Sequence, residues 1–73
     1  MPMRATLQAI LAVDPDTLEP LPPLPTDTLE WVDDNGHWFV KDVDKPPYNA
    51  IIEVEPLDDS VPSRFFLAHF LFD

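Results

Sequence analysis

The chain has 73 residues, and its fourteen Asp and Glu against four Lys and Arg give a net charge of −10. That length allows one small domain, and that charge excludes nucleic-acid phosphates as the primary partner, because binding them needs Lys or Arg to displace counterions. A 45% hydrophobic content with two Trp, one Tyr and five Phe argues against a disordered acidic chain, and the absence of cysteine excludes disulfides and thiolate metal sites.

The first thirteen residues hold one early positive charge, Arg4, and a short apolar run interrupted by Gln8 and followed by Asp14-Pro15-Asp16. This is not the pattern of a cleaved secretory signal, and no stretch approaches the roughly 20 apolar residues of a membrane span. Residues Ala5 to Val13 read two ways. A strand would place Leu7, Ala9, Leu11 and Val13 on one face, whereas a helix would group Leu7, Ile10 and Leu11. Ala, Leu and Gln favour the helix, but the β character of the remaining chain favours the strand.

Residues 14–28 carry Pro15, Pro20, Pro22, Pro23 and Pro25. Prolines remove backbone donors and fix φ, so this segment is predicted to be a connector without helix or sheet. Pro20-Leu-Pro-Pro-Leu-Pro25 favours an extended polyproline conformation. It reads either as a surface connector whose leucines lie on the core or as an arm that grips a partner.

Leu29 to Asp42 reads as a β-hairpin. Asn35-Gly36 suits a type I′ turn, in which both residues need positive φ, and Gly36 is the only glycine. That register would set Asp34 opposite His37, Asp33 opposite Trp38, Val32 opposite Phe39, Trp31 opposite Val40 and Glu30 opposite Lys41. Leu29, Trp31, Trp38 and Val40 would share one face, and Val32 and Phe39 the other, so that one face enters the core and the other meets a partner.

Lys45-Pro-Pro-Tyr48 is a second proline break. Asn49 to Glu55 is predicted to be a half-buried strand, with Ile52 and Val54 on one side and Ile51, Glu53 and Glu55 on the other, ended by Pro56. Leu57 to Pro62 is a polar turn. Arg64 to Phe72 is apolar all round and Phe-rich, which predicts a central strand. The expected fold is a single mainly β domain over residues 1–73, a small antiparallel sheet around the Trp31/Trp38 hairpin with a proline-rich linker. The alternative is an α+β domain with an N-terminal or C-terminal helix.

Chemistry-bearing patterns are weak. The pairs Asp14/Asp16, Asp33/Asp34 and Asp58/Asp59 sit in predicted turns, where Asp is the usual occupant; Glu53/Glu55 lies on a strand. His37 beside Asp33 and Asp34 reads as a cross-strand charge pair, and His69 in an apolar run as a core histidine, so no metal site is expected. Neither Ser60 nor Ser63 lies in a nucleophile turn, and a single glycine leaves no phosphate cradle. The chain is therefore expected not to be an enzyme and to hold no cofactor. Trp31, Phe39 and Tyr48 are the candidate apolar contacts of a protein-binding patch, and Asp33 and Asp34 its steering charges. An acidic DNA mimic that inhibits a host nucleic-acid-binding protein is the alternative. Mimics spread carboxylates in regular rows, whereas these acids cluster in turns.

Over its whole length the sequence resembles a small Xanthomonas-phage transcription regulator that binds host bacterial RNA polymerase. The resemblance rests on the opening Met1-Pro-Met-Arg-Ala-Thr-Leu-Gln-Ala-Ile-Leu11 and on Leu29-Glu-Trp-Val-Asp-Asp-Asn-Gly-His-Trp-Phe39. The chain is expected to be a soluble monomer in the host cytoplasm, and the resemblance implies that it binds the N-terminal region of the polymerase β′ subunit near the RNA exit channel. It also implies inhibition of initiation through loss of σ, and antitermination aided by NusA. No residue-level site carries over from it.

Overall fold

The computed structural model describes residues 4–39, 43–55 and 62–72. Its elements are β1 (Ala5–Val13), α1 (Leu29–Asn35), β2 (Gly36–Phe39), β3 (Ala50–Val54) and β4 (Arg64–Phe72). The strands form one antiparallel sheet in the order β1-β4-β3-β2. The domain is thus mainly β, as composition and patterning predict, with one short helix. No helix among the described residues is long and apolar enough to cross a membrane.

β4 is the central strand because both of its faces are apolar. Phe66, Ala68 and Phe70 point to one side, where they join Ala12, Ile52, Val54 and Val32 of α1. Leu67 points to the other, where it meets Val13 and Ile51, with Leu11, Leu18, Val43, Tyr48 and Phe65 packed around. Two thin cores therefore sandwich the sheet. β3 serves both, since Ile51 and Ile52 are each buried, and is less one-sided than its alternation with Glu53 suggests.

β1 is a strand, but not the one its simple alternation describes. The register with β4 shifts between Leu7 and Ala9, leaving Gln8 as an extra residue. Such a bulge restarts the two-residue period. Leu7 accordingly joins Ile10 and Ala12 on the helix side, instead of sharing a face with Leu11 and Val13.

The predicted 29–42 hairpin does not form. Residues 29–35 are helical, and β2 pairs with β3, setting His37 against Glu53, Trp38 against Ile52 and Phe39 against Ile51. The pairs expected across the hairpin lose their first strand; Val40, Lys41 and Asp42 lie outside the described residues. The cause is local. Thr28 takes the extended N-cap conformation, and its hydroxyl accepts a hydrogen bond from Trp31 N at 3.2 Å, a strong helix-start device. Val32 N donates to Thr28 O at 3.0 Å. At the other end Asn35 Nδ2 donates to Trp31 O at 2.9 Å and Gly36 N–H donates to Val32 O.

Gly36 is needed for a different reason from the one its turn signature implies. Its φ is −86°, open to any residue. A Cβ there would press into Ile52 Cγ2 and stand 2.6 Å from Val32 O. The glycine lets the helix end lie against β3.

The 14–28 connector is ordered by its acids. Asp14 Oδ1 accepts from Asp16 N at 2.8 Å and Thr17 N at 3.2 Å, and Leu18 N donates to Asp14 O at 2.7 Å. The turn places Leu18 at φ 61° and packs it on the Val13–Ile51–Leu67 core. The chain then doubles back along β1. Pro20 bridges Val13, and Leu21 N donates to Ala12 O at 2.8 Å. Leu21 and Leu24 of the proline stretch remain exposed.

Asp27 anchors the far end. Its Oδ2 accepts from Arg64 Nη2 at 2.7 Å and from Leu24 N at 2.8 Å, and its side chain is only 4% exposed. The Arg64 guanidinium also lies 5.5 Å from the Phe66 ring centroid. Further on, the Lys45–Tyr48 turn, with a cis Pro46–Pro47 bond, leads into Asn49. The Asn49 amide extends the β3–β4 ladder by one rung, donating to Phe70 O at 2.9 Å and accepting from Phe70 N at 3.0 Å.

Candidate protein-binding surface

The five residues expected to form one patch fall on two sides of the sheet. Trp31 is half-buried on α1, packed on the Val32–Ile52–Phe66 core. Asp33 and Asp34 are exposed on the same helix. Phe39 belongs to the opposite face, where its ring lies 6.3 Å from that of Phe65, and Tyr48 packs on the Val13–Ile51–Leu67 core of that face. The hairpin register would also have set Trp31 and Phe39 on opposite faces; what the helix changes is that Trp31, Asp33 and Asp34 leave the sheet and lie over it on α1.

The roles of the tryptophans also change. The hairpin put Trp31 and Trp38 on one face. In the fold Trp31 faces inward and Trp38 is 50% exposed, its ring centroid 3.9 Å from that of Phe70. By the β2–β3–β4 register, Trp38 stands on the helix side in the row of Ile52 and Phe66. Its contact with Phe70 therefore carries the ring across the row of Ala50 and Ala68, whose small side chains leave room for it. Phe72, two residues beyond Phe70 and on the same side, is 54% exposed. Opposite Phe72 and Phe70 stand Ala5 and Leu7 of β1, which line a groove together with Leu29 of α1. Leu29 is 43% exposed.

An apolar strip thus runs from Trp38 on β2, over Phe70 and Phe72, to Leu7 and Leu29. It is the part of the helix-side face that the seven-residue α1 is too short to cover. Glu30 and Asp33 of α1 border its β1 end. Among the described residues the only ion pairs are Arg64–Asp27 and an exposed His37–Glu55 contact at 3.9 Å. Among the described residues the α1 carboxylates have no ion-pair partner, and the acidic neighbour of His37 is Glu55 instead of Asp33 or Asp34.

Sequence reading missed Trp38 and Phe72 as exposed aromatics because it paired Trp38 with the wrong strand. The available signal was Thr28, placed three residues before Trp31 and just after a proline stretch, which is a helix-start pattern. Among the described residues no three His, Asp or Glu side chains lie close enough to hold a metal ion. An apolar strip with an exposed acidic border is equipped to bind a protein surface that is apolar at its centre and basic at its rim. No family model, curated protein or solved structure matches the chain.

Proposed function

We propose that the chain is a phage-encoded, non-catalytic regulator that binds host bacterial RNA polymerase in the host cytoplasm. Docking near the N-terminal region of β′, it inhibits σ-dependent initiation and, with NusA, promotes antitermination. The observation that carries the binding role is the exposed Trp38–Phe72–Leu29 strip beside the exposed carboxylates of α1. A contiguous exposed apolar strip marks an interaction site more often than scattered single side chains do, and Trp is enriched among interface anchors. The sequence resemblance to the polymerase-binding phage regulator supports the identity of the partner. A −10 chain is attracted to the basic protein wall around nascent RNA and repelled by the RNA itself.

The test is capture of bacterial polymerase on the immobilised chain from lysate, followed by binding of purified polymerase at low and high salt. The expected result is a direct complex that weakens as salt rises. Retention of a nuclease or nucleoid protein in place of polymerase subunits, with no direct binding to purified polymerase, would overturn the proposal.

A further inference from the structure

β1 is an outer strand with an edge that is only partly used. At its C-terminal end the chain closes the edge itself, through Leu21 N to Ala12 O and the Pro20–Val13 bridge. That edge is therefore competent for pairing, because an extended segment already lies on it. An antiparallel strand presents alternate residues to each neighbour, so Ile10, two before Ala12, presents its amide and carbonyl to the same side. Among the described residues nothing pairs with β1 there; β4 is its ladder partner on the other side.

Edge strands usually carry a charge or a proline that blocks unwanted pairing. Residues 5–13, Ala-Thr-Leu-Gln-Ala-Ile-Leu-Ala-Val, hold neither. The bulge at Gln8 is the only such device. Beside this edge lies a groove of about 570 Å³. Arg4, Ala5, Thr6 and Leu7 line it consecutively at the start of β1. Leu29, Glu30 and Asp33 form the other wall. Two carboxylates thus face one guanidinium, that of Arg4.

We propose that the β1 edge receives an extended basic segment of a partner protein as an added β-strand. Main-chain bonds to β1 hold the segment, and Lys or Arg at every second position reaches Glu30 and Asp33. A second copy of this chain is a poor occupant, because it would bring another ten net negative charges to the same acids. The inference rests on the protein-binding reading above, and the two fail separately. Loss of peptide binding with polymerase binding intact sinks only the edge; peptide binding without polymerase binding sinks only the polymerase reading.

The test titrates the isotope-labelled full chain with a ten-residue peptide of alternating Lys and Val and follows amide exchange by NMR. The expected result is exchange at Ile10 slowed at least tenfold (a loose lower bound for an amide entering a ladder). A peptide of the same charge, N-methylated at alternate residues, should bind at least tenfold more weakly, and a Glu–Val peptide should not bind. Ile10→Pro should also abolish binding, since it removes an outward N–H that the β1–β4 ladder does not use. If that variant does not fold, the N-methylated peptide still decides. Equal binding of the methylated peptide would show attraction by charge alone and overturn the proposal. Protection at Gly36–Phe39 instead of β1, or dimerisation of the free chain through β1 in sedimentation, would overturn it as well.

Discussion

Reversing the charges of Asp33 and Asp34 should move stability and binding in opposite directions. Both residues lie in the last turn of α1, which spans Leu29–Asn35 and has no basic side chain there. The backbone dipole is negative at that end, so each exposed acid is unfavourable by about 0.3–1 kcal/mol and a lysine favourable by a similar amount. Salt and solvent screening reduce this, so Asp33→Lys with Asp34→Lys should stabilise the fold by about 1 kcal/mol in all. For a chain of this size that raises Tm by about 4–8 °C. The same variant reduces the charge that attracts a basic partner. Stopped-flow association with purified polymerase should slow by about tenfold at low salt, and the difference should vanish near 1 M salt, where the Debye length is about 3 Å. A lower Tm would refute the helical placement of these acids, and an unchanged low-salt on-rate would refute their steering role. Gain of stability with loss of binding is the signature of residues kept for a partner.

Three further outcomes follow from the packing. Gly36→Ala should destabilise by about 1–3 kcal/mol in urea unfolding, because its Cβ meets Ile52 Cγ2 and Val32 O; a cost near zero would refute the close approach of α1 to β3. Asp27→Ala should cost about 1–3 kcal/mol by leaving the Arg64 guanidinium, 26% exposed, short of its partner, and should speed proteolysis within residues 14–28; equal cleavage rates would show that the connector is held by other contacts. Trp38→Ala should lose about 0.5–1.5 kcal/mol of stability with the Phe70 ring contact, yet weaken polymerase binding by more than tenfold in calorimetry, with partial recovery in Trp38→Phe; a binding loss no larger than that of Phe39→Ala on the opposite face would place the interface elsewhere.

Composition and patterning alone determined the charge, the connectors and a mainly β class, while helix or strand stayed open for residues 5–13 and 64–72 until the sheet paired them as β1 and β4. Prolines cannot enter helix interiors or central strands, so they mark the connectors wherever the chain folds. Arg64–Phe72 is apolar on both sides, and such a run of nine residues is stable only between two strands. Residues 29–36 are different. Thr28 favours a helix start and Asn35-Gly36 a hairpin turn, and local propensities separate such alternatives by only about 1 kcal/mol. Packing of Trp31 and Val32 on Ile52 and Phe66 settles the choice, and those partners lie some twenty to thirty-five residues away. The same distance hides the Asp27–Arg64 pair, 37 positions apart, and the Gln8 bulge, which exists only against β4. The acids were legible from composition, but which of them border an apolar strip depended on where α1 came to rest on the sheet.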